Sequence, residues 1–147
     1  MNLSTKGRYG TRAMLDVALH SQEGPVHLSD IAKRQQISKK YLGHLTSRLE
    51  AAGLLRGTRG PGGGISLTRP ASEIRLSDIL RVLEGGNALV DCVDSSDRCP
   101  RSPSCATRDV WREMGEVLGA FLDSKTLEDI CRQQRDKDQS TASIYHI

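Results

Sequence analysis

Apolar residues recur at intervals of three and four along most of the chain, which is the spacing of one face of an α-helix. The pattern predicts helices over residues 6–23, 28–36, 38–52, 76–84, 108–122 and 125–135. Two short stretches, 54–56 and 65–67, alternate instead between apolar and polar residues, as strands do, and glycine dominates the segment between them. We therefore predict a mainly α fold that carries one short β-hairpin.

The order of the elements between residues 28 and 67 suggests how they are arranged. A short helix, a tight turn at Gln36 and Ile37, and a longer helix opened by Ser38 form the outline of a helix-turn-helix. Gly53 ends the longer helix, and the hairpin that follows has the tip sequence RGPGGG. This layout is typical of a winged helix-turn-helix, in which the helix enters the major groove of DNA and the hairpin lies over the backbone or minor groove.

The first turn of the longer helix and the hairpin tip supply the candidates for DNA contact. They are Ser38, Lys39, Lys40, Tyr41 and His44 on the helix, and Arg59, Gly60 and Pro61 at the tip. A lysine at the mouth of the groove more often binds phosphate than reads a base, and Tyr41 is equally suited to the core. The alternative of a nucleotide cradle at the tip lacks the GxxxxGK[ST] pattern that it would need. Duplex DNA is the expected partner.

Charge is distributed unevenly along the 147 residues. Residues 1–69 hold 11 Lys and Arg against 4 Asp and Glu, a net charge of +7, whereas residues 70–147 hold 10 against 14, a net charge of −4. A basic half is what a polyanionic partner such as DNA requires. No apolar run approaches the ~20 residues of a membrane span, and the first ten residues lack the apolar region of a signal peptide. We expect a cytoplasmic protein with no membrane association.

The most regular apolar stripe lies outside the basic half. Its members include the only Trp and the only Phe of the sequence; they are Val110, Trp111, Met114, Val117, Leu118, Phe121 and Leu122. Such a stripe can pack within its own domain or against a second subunit, and palindromic DNA sites call for two-fold dimers. We predict a winged helix-turn-helix DNA-binding domain over 1–84, a cysteine-bearing loop over 85–107, a long dimerisation helix with a short C-terminal helix over 108–136, and a disordered tail over 137–147.

Three of the four cysteines lie in one polar stretch, with the spacing Cys92-x6-Cys99-x5-Cys105. In a cytoplasmic protein such a group more often serves metal or redox chemistry than a structural disulfide. Thiolates suit an iron–sulfur cluster or zinc, although the spacing is neither that of a zinc knuckle nor that of a ferredoxin, and metal-free thiols are a further alternative. Three donors leave a four-coordinate site one ligand short, which suits a labile sensor. No Ser/His/Asp set or carboxylate pair stands out, so we do not expect an enzyme.

The N-terminal half and the cysteine trio together resemble a known family. The segments KGRYG, KKYLGHLTSRLEAAGLL and RGPGGGISL, with the three cysteines, are similar to the IscR-like iron–sulfur cluster regulators of the "Rrf-two" family of bacterial winged-helix repressors, and the similarity extends to about Asp129. The resemblance implies a homodimer that binds a palindromic operator. It also implies a [2Fe–2S] or [4Fe–4S] cluster on Cys92, Cys99 and Cys105, and control of genes for cluster assembly.

One departure from that family concerns the fourth cluster ligand. IscR-like proteins have a histidine three residues after the last cysteine, where this chain has Arg108, which stays protonated and cannot bind a metal. Nitric-oxide-sensing relatives use an acidic residue of the first helix, and the matching residue here is Arg8. The remaining candidates are Asp91, Asp94, Asp97, Cys131 and a small-molecule thiol. A zinc- or thiol-switched regulator and a non-regulatory iron–sulfur electron carrier are the alternative functions.

Overall fold

The computed structural model describes residues 2–86 and 89–144 of the chain. Its α-helices are α1 (Thr5–His20), α2 (Leu28–Gln35), α3 (Lys39–Ala51), α4 (Leu76–Glu84), α5 (Asp91–Asp94), α6 (Ala106–Ser124) and α7 (Leu127–Ile144). Two strands, β1 (Leu55–Thr58) and β2 (Gly64–Leu67), form an antiparallel hairpin. The predicted mainly α fold with a winged helix-turn-helix is confirmed.

Helix α1 lies at the centre of the N-terminal unit, which we define as residues 2–84. It contacts α2, α3, α4 and β2 of this unit, and also α7. Its buried face includes Met14 and Val17, both without solvent exposure. The approach to α4 is close because Gly10 has no side chain: a Cβ at this position would lie 2.1 Å from Leu83 Cδ1. The Leu83 side chain of α4 can therefore lie directly against the backbone of α1 at Gly10. This close contact fixes the position of α4 behind the helix-turn-helix.

The turn between α2 and α3 is built by its two flanking residues. Gln36 has a left-handed conformation, with φ of 55°, and reverses the chain after α2. Ser38 then caps α3, because its Oγ accepts a hydrogen bond from the Tyr41 N–H at 3.2 Å. The side of α3 that faces the core consists of Leu42, Leu45 and Leu49.

The hairpin forms the wing. Its register pairs Leu55 with Leu67 and Thr58 with Gly64, so both strands are slightly displaced from the predicted stretches 54–56 and 65–67. Val26 extends the sheet by one bridge: its N–H donates to the Ile65 carbonyl at 2.9 Å, and the Ile65 N–H donates back at 2.8 Å. The wing is thus attached to the segment that precedes α2.

Helix α7 returns to the core of the N-terminal unit. Leu127 and Cys131 are fully buried there together with Ile74. The backbone holds the entry to α7 in place, because the Leu127 N–H donates to the Ile74 carbonyl and the Leu76 N–H donates to the Lys125 carbonyl, each at 2.8 Å. The predicted domain 1–84 therefore shares its hydrophobic core with the start of α7, because Leu127 and Cys131 pack into that core.

The C-terminal segment differs from the sequence prediction. A short helix over 125–135 and a disordered tail from 137 were expected, whereas α7 continues to Ile144. Residues 137–144 are thus helical in the structure, and residues 145–147 lie outside the described residues. Polar contacts one helical turn apart accompany the extra turns: Gln134 Nε2 donates to Asp138 Oδ1 at 2.8 Å, and Ser140 Oγ donates to the Asp136 carbonyl at 2.9 Å. Apolar periodicity cannot reveal a helix that is exposed on all sides.

Helix α6 presents its apolar stripe to solvent. Leu122 is buried, but the rest of the stripe is exposed, namely Val110, Trp111, Met114, Val117, Leu118 and Phe121. Within residues 2–86 and 89–144, none of the helices has the length and apolarity that crossing a bilayer would demand.

Candidate nucleic-acid interface and cysteine segment

The first turn of α3 is available to a ligand. Lys39, Lys40 and His44 are exposed, and Ser38 is exposed although its hydroxyl serves the helix cap. The buried leucines of α3 face the core and hold the opposite side of the helix outward. The structure therefore brings these predicted residues onto one accessible helix end, with two lysine charges beside the unpaired N–H groups of a helix N-terminus, which favours anions.

Tyr41 has a mixed environment. It is half-buried, and its ring meets the Tyr9 ring edge to face, with 6.2 Å between centroids. Arg12 lies over the same Tyr9 ring, its Cζ 5.5 Å from the centroid. Tyr41 thus packs α3 against α1 and leaves part of its side chain accessible, so the structure agrees in part with each of the two roles expected of it.

The wing tip is the second exposed basic element. Arg59, Gly60 and Pro61 are exposed, and the tip closes through a hydrogen bond from the Gly63 N–H to the Gly60 carbonyl at 2.9 Å. Gly60 has φ of 100°, a conformation that other residues rarely adopt. At the base, a Cβ on Gly64 would lie 2.7 Å from the Val26 carbonyl oxygen. The glycines therefore shape the turn that carries Arg59.

A buried carboxylate behind the helix-turn-helix was missed at the sequence level. Asp16 on α1 is 1% exposed and accepts hydrogen bonds from Arg34 Nε and Nη2 at 2.6–3.2 Å and from Gln35 Nε2 at 2.8 Å. The carboxylate of Asp16 raises the pKa of Arg34 through this hydrogen bond. Arg12 Nε in turn donates to Gln35 Oε1 at 3.1 Å. The network ties the last turn of α2 to α1 and so orients the turn that leads into α3. The sequence did contain one signal for this buried carboxylate, namely an acidic residue among the apolar residues of α1.

The cysteine segment, residues 91–105, carries the other predicted site. Cys92 lies in α5, Cys99 follows a short 3-10 turn (Ser96–Arg98), and Cys105 immediately precedes α6. All three are free and half-buried. Among the described residues, however, no three His, Cys, Asp or Glu side chains lie close enough together to hold a metal ion. The fold brings the three thiols onto one small unit but not into one coordination sphere.

Local contacts distinguish two parts of this segment. Cys105 Sγ lies 3.2 Å from Thr107 Oγ1, and this hydrogen bond lowers the pKa of the Cys105 thiol. Arg108 Nε donates to the Cys92 carbonyl at 2.7 Å. Arg108 therefore links α5 to α6 by a hydrogen bond. This is the residue that replaces the histidine of the family that the sequence resembles.

The structure also locates the candidates for a fourth ligand. The Asp91 side chain is 84% exposed and forms an ion pair with Arg98 at 3.6 Å. Asp94 and Asp97 are exposed as well. Cys131 belongs to the main core instead, and burial raises the pKa of its thiol. None of these predicted side chains is directed by a described contact toward the three cysteines.

Comparison with known proteins gives consistent matches over nearly the whole chain. The sequence model of the Rrf2 family, described as "Iron-dependent Transcriptional regulator", matches residues 3–133. The HTH-type transcriptional regulator IscR of Xenorhabdus nematophila is 43% identical over 138 residues, which are 94% of this chain and 84% of the relative.

Solved structures agree with the sequence matches. CymR, described as the global cysteine regulator of B. subtilis, superposes with a TM-score of 0.76 at 36% identity, covering 90% of this chain and 98% of the other. IscR of T. potens superposes with a TM-score of 0.75 at 39% identity, covering 91% of this chain and 88% of the other. The similarity thus includes the winged unit, the cysteine segment and α6.

Proposed function

The chain belongs to the Rrf2 family of DNA-binding transcriptional regulators, and from this premise we propose that it is a homodimeric repressor controlled by an iron–sulfur cluster. Cys92, Cys99 and Cys105 would hold the cluster. The observation that carries the proposal is the position of these three free thiols, on the segment that joins the winged unit to α6. An electron carrier without a regulatory role, the last alternative from the sequence, does not fit a family of transcriptional regulators.

The DNA contacts are proposed for the first turn of α3 and the wing tip. They are the cap residue Ser38, then Lys39, Lys40, Tyr41 and His44 on α3, and Arg59, Gly60 and Pro61 on the wing. The exposed lysines are suited to phosphates at the mouth of the major groove. Arg59 on its narrow tip is suited to the minor groove. Two such units related by a two-fold axis would read a palindromic operator.

The donor set fits an iron–sulfur cluster in its chemistry. Thiolates are the usual protein ligands of such clusters, and either [2Fe–2S] or [4Fe–4S] accepts three of them. A bound cluster supplies a redox centre whose loss or oxidation the protein can register. The hydrogen bond with Thr107 already favours the thiolate of Cys105. Arg108 and Cys92 keep α5 beside α6, so the segment has a defined starting arrangement.

Regulation would follow from order in the cysteine segment. Thiolates bound to one group restrain the turns that carry them, because ligand binding and local folding are coupled. The segment continues directly into α6, and α4 before it packs against α1 and α3. A restrained segment can therefore bias how the winged unit sits relative to α6, and hence the spacing of two recognition helices in a dimer.

The exposed apolar stripe of α6 is the proposed dimer interface. A contiguous row of large apolar side chains on a soluble protein usually marks an interaction surface. We further place the protein in the cytoplasm, acting on genes for cluster assembly, as the family resemblance implies. The description of the family as iron-dependent supports iron supply as the signal.

A zinc- or thiol-switched regulator is the second candidate. It is favoured by the fold shared with CymR, which is described as a cysteine regulator, and by the separation of the three thiols among the described residues. In this version the same segment controls the same helices, but free thiols or a zinc ion replace the cluster.

Anaerobic purification separates the candidates. We expect brown protein with visible absorption, about one cluster's worth of iron and acid-labile sulfide per chain, and specific binding to its own promoter DNA that changes after exposure to air. A variant with Cys92, Cys99 and Cys105 all changed to Ala should lack iron and should no longer respond to air. Cys131→Ala is the matched control, because it removes a thiol from the core and leaves the segment intact.

Colourless anaerobic protein that binds DNA and responds to thiol oxidants would instead support the thiol switch. Stoichiometric zinc without iron would support the zinc version. Equal affinity for promoter and random duplex, with every cysteine intact, would contradict the proposed binding to a specific operator.

A further inference from the structure

Ser102 is a buried polar residue within the cysteine segment. It is 6% exposed, and its Oγ has no hydrogen-bond partner among the residues that the structure describes. A buried hydroxyl without a partner is costly, because the water that it would bind in the unfolded chain is not replaced. Native proteins rarely keep such a group without a role for it.

Its place between two cysteines gives the hydroxyl a candidate role. Cys99, Ser102 and Cys105 follow one another at intervals of three, in the pattern C-x2-S-x2-C. The Ser102 N–H donates to the Cys99 carbonyl at 3.0 Å, which places the serine one tight turn after that cysteine. A C-x2-C-x2-C run is a known arrangement of cluster ligands, and here an oxygen donor occupies its middle position.

None of the other candidates for the remaining ligand combines burial with an unused oxygen inside the segment: Asp94 and Asp97 are exposed. Arg108 cannot ligate and is hydrogen-bonded to the Cys92 carbonyl. Asp91 is exposed and paired with Arg98. Cys131 lies in the main core with Leu127. Ser102 combines burial, an unused oxygen and a position inside the segment.

We propose that Ser102 Oγ is the fourth ligand of the group held by Cys92, Cys99 and Cys105. The assignment rests on the proposed iron–sulfur function. On binding, Ser102 forms a bond from Oγ to iron and loses its hydroxyl proton to solvent, as the three thiols lose theirs, and no electron is transferred in this step. An oxygen donor is harder than a thiolate and matches a soft, sulfur-rich cluster less well. One weaker bond in four makes the cluster easier to open at a single iron, which suits a sensor.

Ser102→Cys and Ser102→Ala test the assignment, with Ser104→Ala as the matched control. Ser104 lies in the same 3-10 turn (Ser102–Ser104) but is exposed. Anaerobically prepared proteins of this whole chain would be compared by iron K-edge X-ray absorption and by the rate of cluster loss in air. Circular dichroism would establish that each variant is folded.

We expect the wild type and Ser104→Ala to share a short iron–oxygen distance that Ser102→Cys replaces with an iron–sulfur distance. Ser102→Ala should lose its cluster about 10-fold faster or more, by analogy with the loss of supporting groups at metal sites, and Ser102→Cys should retain it longer than the wild type. If Ser102→Cys leaves the absorption spectrum unchanged, or Ser102→Ala behaves as Ser104→Ala, the assignment is overturned and the cluster stays. Wild-type protein without iron and sulfide would overturn the iron–sulfur function together with the assignment.

Discussion

At the scale of single residues, buried polar groups distinguish this chain from a generic helical core. Asp16 and Ser102 are both more than nine-tenths buried, but only Asp16 has protein partners among the described residues. A buried carboxylate that is bound by Arg34 and Gln35 orients two helices, because both partners come from the last turn of α2. An unpartnered hydroxyl orients nothing by itself, which is why a ligand is the better explanation for Ser102.

Asp16→Asn should lower the free energy of unfolding by about 2 kcal/mol, because it leaves Arg34 without its counter-charge in a partly buried site. Arg34 is 36% exposed, so water compensates for part of the loss. Urea unfolding measures the change, and Glu73→Gln at an exposed position should alter stability by less than about 0.5 kcal/mol. Affinity for operator DNA should fall while its salt dependence stays the same, because no phosphate contact is removed. A variant as stable as the control would contradict the role of Asp16.

At the scale of elements, the wing and recognition helix were predictable, and the end of the chain was not. The strong apolar spacing of α1 to α4 and the glycine tip report directly on local structure. The length of α7 could not be read in this way, because its second half is mostly polar and exposed. The packing of Leu127 and Cys131 into the N-terminal core could not be predicted either. Two apolar residues on a polar helix do not indicate which surface they pack against.

The candidate sites divide in the same manner. The exposed ends of α3 and the wing follow from helix caps and turn residues, which act over three or four positions. The partners of Asp16 lie eighteen and nineteen residues away on another helix, and Ser102 is polar in a polar segment. Their burial is a tertiary property, so local pattern alone cannot reveal it.

Contact of α3 and the wing with DNA can be tested by its salt dependence. Lys40→Ala and Arg59→Ala should each weaken duplex binding and reduce the slope of log affinity against log salt by about 1, because each removes one phosphate neutralisation. Lys137→Ala on α7 removes the same charge outside the proposed interface and should leave the slope unchanged. Fluorescence anisotropy over a salt series measures these slopes. Equal slopes in Lys40→Ala and Lys137→Ala would exclude Lys40 from the phosphate contacts.

The start of α7 should make a pH-dependent contribution to stability. The Thr126 N–H and hydroxyl donate to Asp129 Oδ2 at 2.9 and 2.8 Å, and the Asp129 N–H donates to Thr126 Oγ1 at 3.1 Å. The hydrogen bond from the Thr126 N–H, followed by that from its hydroxyl, lowers the pKa of Asp129. A lowered pKa in the folded state stabilises the fold above the ordinary carboxyl pKa, and this contribution is lost as the pH falls through the lowered value.

Asp129→Asn should therefore lower the Tm at neutral pH. The difference from the wild type should begin to shrink as the pH falls below about 4, the ordinary carboxyl pKa, and should keep shrinking toward the lowered folded-state pKa. Asp136→Asn, later in the same helix, has no such hydrogen bonds among the described contacts and serves as the control. Thermal unfolding followed by circular dichroism between pH 3 and pH 8 measures both. A difference that grows as the pH falls would mean that the sign of the linkage is wrong.

At the scale of the whole molecule, the structure of one chain leaves a row of large apolar side chains on α6 exposed. Val117 and Phe121 are 73% and 55% exposed, and they lie on the same face of α6 as Val110 and Met114. The cysteine segment leads directly into this helix, so a dimer formed through α6 would couple two cysteine segments to two winged units. If the proposed dimer forms, regulation of its operator would depend on a surface that the described part of the single chain leaves exposed.

Because the stripe of α6 is exposed in the single chain, the proposed dimer can be tested by substitutions that leave the chain folded. Val117→Lys should convert a dimer to a monomer, because a lysine charge cannot be buried in an apolar interface without a partner, while the Tm measured at low protein concentration changes little. Glu116→Lys adds the same side chain about 100° around the helix and should leave the dimer intact. Sedimentation equilibrium gives the mass of each variant, and operator affinity should fall in Val117→Lys alone, since one winged unit contacts half of a palindrome. If Val117→Lys remains dimeric and binds the operator as the wild type does, the interface lies elsewhere, and the proposed path from the cysteine segment through α6 to the operator must be abandoned.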